Sequence, residues 1–331
     1  MLRVSMALVA LLGTVFAADA ATVVPTVYEA GHFFATPTTK DGHSLRILID
    51  TGAGGSNFWI TRAAADRLQL KPSVCPKEPW EAQSKATFVT RPEYAPRAGI
   101  PAAASHCGDI LVVNTGSAIG NADGLAGGTY LATHAWTFDY PARQLRVEDD
   151  AWQPANDAHA FDLGMQRNPE GALTTAYPRV TIRVAGEDVD VLLDTGATAQ
   201  PTKAGVAAMK TPTMNGLGVA SYITSTLMNR WHADHPEWPL IGAADDLGAG
   251  KAVRAIQVPM VEIAGWSVGP VWFTERADSN FESFMSEYTD SAVHGAVGAN
   301  VLDAFVMTLD YRKAKARLAC PRACRATPVK H

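Results

Sequence analysis

Two stretches of this chain repeat one pattern of polar turn and apolar run. Asp41-Gly42-His43-Ser44 leads into Leu45-Arg46-Ile47-Leu48-Ile49, and Ala185-Gly186-Glu187-Asp188 leads into Val189-Asp190-Val191-Leu192-Leu193. Turn residues followed by a short run rich in β-branched and aliphatic side chains predict a hairpin feeding a buried strand. Each run ends in the same tripeptide, Asp50-Thr51-Gly52 or Asp194-Thr195-Gly196, and then alanine, Ala53 or Ala197. One offset of 144 residues aligns the copies without a gap, with Gly42 falling on Gly186.

A second pair of matches follows in the same order. Gly124-Leu125-Ala126-Gly127 precedes Leu131 and Phe138-Asp139-Tyr140, and Gly295-Ala296-Val297-Gly298 precedes Leu302 and Leu309-Asp310-Tyr311. Gly127 to Asp139 and Gly298 to Asp310 both span 12 residues, and each copy closes on a strand, Gln144–Val147 or Lys315–Leu318. Two independent matches predict two homologous lobes. The lobes differ in what lies between the landmarks: 77 residues from Asp50 to Gly127, but 104 from Asp194 to Gly298. The N-terminal insertion, about Lys71 to Cys107, is rich in Pro and Ala and reads as loop. The C-terminal one holds a short helix within Thr224–Trp238 before Pro236, and a hairpin over Val258–Thr274 turning at Ala264-Gly265. Arg62–Leu68 reads as a short amphipathic helix with solvated arginines. Asp109–Val113 reads as a strand ending in the turn Asn114-Thr115-Gly116, whose amide cannot cycle a proton. Residues 149–176 have the polar, Asn/Pro/Gly-containing character of a linker.

Composition fits this picture. The 331 residues are 47% apolar and 18% charged, with 27 Gly and 20 Pro, as turn-rich β proteins require. The formal charge of −5 gives no basis for nucleic-acid binding. Residues 1–20 stand apart: Arg3, an apolar run from Met6 to Ala17, then Ala18-Asp19-Ala20 predict a cleaved export signal, too short to span a membrane comfortably. No later segment is long and apolar enough to anchor the chain. The expected organisation is therefore a signal at 1–20, an N-terminal lobe at 26–148, a linker at 149–176, a C-terminal lobe at 177–320 and a tail at 321–331. The expected location is the periplasm or the exterior. Export favours disulfides among Cys75, Cys107, Cys320 and Cys324. Of three pairings, Cys75–Cys107 and Cys320–Cys324 join cysteines close in sequence. A four-cysteine zinc site lacks its paired Cys-x-x-Cys spacing.

The chemistry rests on Asp50 and Asp194. A carboxylate ending an apolar strand is costly unless paired or functional. Glycine two residues on lets the backbone turn closely, and threonine between supplies a hydroxyl to tie two loops together. A pseudo-two-fold axis would set the two aspartates side by side, where they share a proton and their pKa values split. The ionised member can then take a proton from water while the protonated one polarises a carbonyl.

On these motifs, each with its downstream apolar-apolar-Gly (Leu125-Ala126-Gly127 and Ala296-Val297-Gly298), the chain from Thr26 to Leu318 resembles the pepsin/retropepsin clan of aspartic peptidases. It looks most like an exported bacterial protein with two fused retropepsin-like lobes. The resemblance implies a mostly β fold: two homologous closed lobes, a few short helices and a cleft between them under a flap. It implies hydrolysis of peptide or protein substrates by an endopeptidase without metal or organic cofactor, and a monomer whose lobes form an intramolecular pseudo-dimer. Thr51 and Thr195 would form the inter-loop bonds, and Gly127 and Gly298 would support the aspartates. Tyr94, 44 residues beyond Asp50, and Tyr222 are the flap candidates.

Alanine at positions 53 and 197 cannot donate the side-chain hydrogen bond that Ser or Thr would. That predicts raised dyad pKa values and activity toward neutral pH. Competing readings are a silent binding or inhibitor protein that keeps the lobes, and a glycosidase using its own carboxylate pair. Asp139 and Asp310 read as hairpin-stabilising carboxylates. His232 and His235 lack a third ligand at a recognisable spacing for a metal.

Overall fold

The computed structural model describes residues 21–326 apart from 56, 75–86, 104–109, 114–120, 247–250 and 323. The expected signal at 1–20, the Cys75–Cys107 pairing, the turn at Asn114-Thr115-Gly116 and the end of the tail lie outside the described residues.

The protein is mostly β, with a few short helices. Two sheets repeat one strand order. In the first, His32–Ala35, Ile47–Asp50, Gly124–Gly127, Phe58–Thr61, Ile110–Val113 and Thr87–Val89 lie side by side, with Thr26–Glu29 at the edge. In the second, Arg179–Val184, Glu187–Leu193, Gly295–Val297, Ser221–Thr224, Val271–Arg276 and Val253–Val258 follow the same sequence of neighbours. The second sheet extends further at both edges, with Leu240–Asp245 on one side and Val261–Ile263, Trp266–Val268 and Arg325–Ala326 on the other.

Each sheet inserts a late, glycine-led strand between two early ones. Gly124–Gly127 runs parallel to Ile47–Asp50 and antiparallel to Phe58–Thr61. Gly295–Val297 does the same between Glu187–Leu193 and Ser221–Thr224. The late strand closes the sheet beside the aspartate strand, which is why the sequence repeats at two separate places in each half.

The halves meet in a third sheet. Its order runs Thr22–Val24, Gln144–Glu148, Ala135–Asp139, Val306–Asp310, Lys315–Ala319, His159–Asp162. The two closing hairpins thus pair with each other, centred on Thr137 opposite Thr308, whose hydroxyls are 2.7 Å apart. Above this sheet lies a fully buried aromatic core that includes Phe33, Tyr130, Trp136, Phe138 and Phe305. Asp139 accepts from the Ala142 amide at 3.0 Å and Arg146 at 3.1 Å, and Asp310 accepts from the Lys313 amide at 3.3 Å, so both stabilise hairpin turns.

Helices form where a threonine ends a strand. Thr61 caps Arg62–Arg67 and Thr224 caps Ser225–Asp234, each hydroxyl accepting from an amide three residues on. The hairpin at Ala264-Gly265 turns with both residues at positive φ, 50° and 77°, as a tight two-residue connection requires. Residues 149–176 are more than a linker: His159–Asp162 pairs with Lys315–Ala319 as an edge strand. Cys320 and Cys324 form a disulfide, closing a short loop in the tail. No helix among the described residues is long and apolar enough to cross a membrane.

Candidate active site

The two strands Ile47–Asp50 and Glu187–Leu193 deliver Asp50 and Asp194 to the same place. Their partners fix the endpoints: Asp50 lies opposite Gly127 in the parallel register, and the Asp194 amide donates to the Val297 carbonyl at 2.9 Å. The threonines then lock the loops together. The Thr51 amide donates to Thr195 Oγ1 at 3.1 Å, and the Thr195 amide to Thr51 Oγ1 at 2.9 Å. Each hydroxyl passes its own proton across the junction, Thr51 to the Leu193 carbonyl at 2.6 Å and Thr195 to the Ile49 carbonyl at 2.8 Å. All four bonds are buried, and each bond made by one loop is repeated by the equivalent residues of the other.

With the loops so joined, the two carboxyl groups lie side by side, each against the glycine of the opposite motif. The glycines of the motif are needed for this approach. A Cβ on Gly52 would overlap the Asp194 carboxyl group, and one on Gly196 would overlap that of Asp50. Neither glycine has positive φ; both lie in turns, and what they provide is the close approach of backbone to carboxylate expected from the sequence, here the carboxylate of the opposite motif. Gly298 is similarly confined: its Cβ would stand 2.9 Å from that of Ala197. Its amide donates to Ser221 Oγ at 3.0 Å, while the Gly127 amide donates to the Asn57 carbonyl at 2.8 Å.

Backbone amides supply hydrogen bonds to the dyad. The Ala53 amide donates to Asp50 Oδ1 at 3.1 Å, and the Gly196 amide to Asp194 Oδ1 at 2.9 Å. Burial nevertheless raises both carboxyl pKa values. For Asp194 the rise is larger, because the charge of Asp50 adds to the burial.

Beyond the dyad the loops part company. After Gly196, the C-terminal loop is held by a cluster of three polar side chains, two of them buried and the third partly so. Tyr222 exchanges hydrogen bonds with the backbone of Thr198. The Arg276 guanidinium lies 4.1 Å over the Tyr222 ring and donates to Asp245 Oδ2 at 2.8 Å. Asp245, fully buried, takes the Gln200 amide on its other oxygen at 2.7 Å. From the N-terminal half, His32 Nε2 sits 3.1 Å from Thr198 Oγ1, and burial lowers its pKa.

Tyr177 lies on the opposite side of the dyad. Its ring covers Gly54 and Gly55, where any side chain on Gly54 would collide with it. Burial raises its hydroxyl pKa, with smaller contributions from Tyr288, Asp50 and Asp194. The Tyr288 ring follows at 5.9 Å, and then Phe284, 5.4 Å further and 56% exposed. In sequence Tyr177 stands at the boundary where the expected linker, residues 149–176, gives way to the C-terminal lobe, with no motif around it. Its signal was position: it immediately precedes the strand pair that carries Asp194.

The two flap candidates lie elsewhere. Tyr222 is in a central buried strand, Ser221–Thr224, and is not part of a loop over a cleft. Tyr94 packs against the N-terminal core, bridges to Thr39, and has its hydroxyl pushed up to about 12 by burial. Much of the insertion from Lys71 to Cys107 is outside the described residues. No group of three or more metal-ligating side chains occurs among the described residues. His235 stacks on Trp238 at 4.1 Å.

No protein-family profile and no curated protein matches the sequence. Among solved structures, the chain is similar to an aspartic proteinase from Irpex lacteus, with a TM-score of 0.44 and 12% identity. The likeness covers 91% of this chain and 97% of that one. It is a distant likeness of fold and carries no argument about chemistry.

Proposed function

We propose that this protein is an aspartic endopeptidase, in which Asp50 and Asp194 activate one water between them to hydrolyse peptide bonds. The observation that carries this reading is the side-by-side placement of the two carboxyl groups, held by the reciprocal threonine bonds. Two adjacent, partly buried carboxyls retain one proton between them over a range of pH in which an isolated aspartate would have lost its own. The ionised oxygen takes a proton from water as it attacks the scissile carbonyl. The proton on the partner polarises that carbonyl and passes to the developing oxyanion. Collapse of the tetrahedral intermediate returns a proton through the dyad to the leaving amine. The residues present complete this cycle. Thr51, Thr195, Gly52 and Gly196 set the spacing; Ala53, Ala197, Gly127 and Gly298 hold the loops beneath it. The substrate class is a peptide or protein. The proposal includes export to the periplasm or exterior, with which the Cys320–Cys324 disulfide is consistent.

The test is cleavage of a mixed peptide library by purified protein, with and without pepstatin, beside Asp50→Asn and Asp194→Asn. Each substitution is expected to lower kcat by roughly 10²–10⁴ or more, the range of a lost general acid or base. Cleavage that survives both substitutions overturns the dyad mechanism. Because both carboxyl pKa values are raised, the alkaline limb of activity, where the shared proton is lost, should extend upward. A profile that peaks below about pH 4, near the pKa of an unperturbed aspartate, contradicts that part.

A further inference from the structure

The N-terminal hairpin carries one titratable side chain into the opposite half. Its strands, Thr26–Glu29 and His32–Ala35, are joined by Ala30-Gly31, a tight turn with φ 49° and 85°. The turn is pressed against the excursion that follows Asp194: a Cβ on Gly31 would stand 2.5 Å from that of Val219. This seats His32, fully buried, beside Thr198.

Three contacts then join end to end. His32 Nδ1 lies 3.0 Å from the Ala30 carbonyl, Nε2 lies 3.1 Å from Thr198 Oγ1, and the Thr198 hydroxyl donates to the Gly196 carbonyl at 2.8 Å. The chain ends on the residue whose amide donates to Asp194 Oδ1 at 2.9 Å. Both of its ends are carbonyls, which only accept. Nδ1 must therefore carry a proton for Ala30, and the Thr198 hydroxyl commits its single proton to Gly196. The bond between them then needs a second ring proton, on Nε2. All three bonds coexist only in the imidazolium. A neutral ring protonated on Nδ1 draws the Thr198 proton to Nε2 and strips the buried Gly196 carbonyl of it. One protonated on Nε2 sets a lone pair against the Ala30 carbonyl.

Burial opposes the added charge, and so does Arg46, which lies over Phe34 and pairs with Glu29 at 2.9 Å. The carbonyls of Ala30, Ala197 and Gly196 favour it. Around Thr198 the other ionisable groups are already engaged: Arg276 with Asp245, Tyr222 with the Thr198 backbone, and Asp194 with the Gly196 amide. His32 thus takes its proton below the usual histidine range, while the dyad carboxyls keep theirs above the usual aspartate range. The two titrations are drawn toward each other.

We propose that His32 is a positioning residue for the dyad: as the imidazolium it completes, through Thr198, the hydrogen-bond chain that fixes Gly196 behind Asp194. The chain itself is independent of the peptidase reading; its service to catalysis rests on that reading. The chain is tested in full-length Asp50→Asn, which needs no activity. Ring-nitrogen NMR of ¹⁵N-histidine-labelled protein follows the titration between about pH 8 and about pH 3.5, and His32→Gln identifies the His32 signals. The Gly196 carbonyl ¹³C resonance should move with the His32 midpoint. Thr198→Val removes the acceptor of the second ring proton and should weaken proton binding at His32 by roughly tenfold. Thr198→Ser keeps a hydroxyl and should hold it within about threefold. A Gly196 carbonyl indifferent to the His32 titration overturns the chain, whether or not the valine variant folds, and so does an unchanged or raised midpoint in folded Thr198→Val. For catalysis, glutamine at position 32 offers a side-chain N–H to Thr198 at every pH. The ratio of parent to His32→Gln kcat/KM should therefore rise as pH falls through the His32 midpoint. A ratio that stays flat while the carbonyl titrates confines His32 to the fold and overturns its positioning role. If neither protein cleaves at any pH, the peptidase reading fails and the positioning role with it, while the carbonyl titration still decides the hydrogen-bond chain.

Discussion

From Asp50 the chain reaches its next sheet strand at Phe58 after eight residues, whereas from Asp194 it takes 27 to reach the equivalent strand at Ser221. The longer excursion carries a helix, Lys203–Met209, and a small three-stranded sheet of Thr198–Ala199, Leu217–Val219 and Thr213–Met214. At the threonines the two loops are interchangeable, each making the same bonds to the other. Beyond them they are braced by different means. The short loop leans on neighbours through neutral contacts. The Gly54 carbonyl takes the Ala176 amide and the Thr129 hydroxyl, both at 3.0 Å, and Tyr177 covers it. The long loop is tied by a buried ion pair and a tyrosine. The dyad therefore imposes symmetry only on the atoms that meet at the axis. Support behind it is free to diverge.

The largest effect expected from this contrast is at Asp245. Replacing it by alanine leaves the Arg276 guanidinium, 12% exposed, without its counterion and strips the Gln200 amide of its acceptor. Breaking a buried pair from one side costs about 3–5 kcal/mol. Thr129→Ala, the corresponding cut behind the short loop, removes one neutral hydrogen bond, worth about 1 kcal/mol. Urea denaturation of the two variants measures the difference, and equal losses would show that the ion pair is not the special brace. A double change, Asp245→Leu with Arg276→Met, should recover most of the loss, since a packed apolar pair can replace a buried ionic one.

A smaller effect tests the symmetric part. Thr51→Ala and Thr195→Ala each remove a hydroxyl that donates once and accepts once across the junction. Each variant leaves one buried amide and one buried carbonyl unpaired, for about 1–3 kcal/mol per group. The two losses should agree to within about 1 kcal/mol. A large inequality would mean that the asymmetric supports reach into the junction itself.

The symmetric part was also the legible part. Asp-Thr-Gly, the glycine-led late strands and the matched closing hairpins recur at fixed spacing because the axis constrains them twice, so one chain reports them twice. The helix at Ser225–Asp234 and the turn at Ala264-Gly265 were legible too, because a threonine cap and a turn dipeptide are local signals. What escaped notice was non-local. The strand His159–Asp162 alternates partly buried and exposed positions with no apolar face of its own, and exists only because Lys315–Ala319 offers it an edge. Tyr222 was a flap candidate by residue type alone; its place beneath Thr198 follows from an excursion whose position after Ala197 the two-landmark spacing could not assign. Tyr177 shares a linker's composition, yet it stands over Gly54.

The smallest predicted effect separates the dyad's cost from its supports. Burial raises the pKa of both aspartates, and the charge of Asp50 raises that of Asp194 further. The folded protein therefore binds more protons at intermediate pH than the unfolded chain does. The derivative of unfolding free energy with pH is then negative, and stability falls as pH rises above the unfolded aspartate value of about 3.9. Below that value the penalty vanishes, because the aspartates are protonated in both states. Asp194→Asn removes the group that holds its proton most strongly and relieves Asp50 of a neighbouring charge. The variant should be more stable than the parent at pH 7, by on the order of 1–2 kcal/mol or roughly 2–8 °C in Tm for lobes of this size. The gain should shrink toward zero by about pH 3.5. Scanning calorimetry of parent and variant across that interval reads it directly. Asp245→Asn, a change in the supporting ion pair, should destabilise at pH 7, the opposite sign. A gain for Asp194→Asn that did not fade in acid would show that the amide improves packing, and that the raised pKa values are not what the dyad costs the fold.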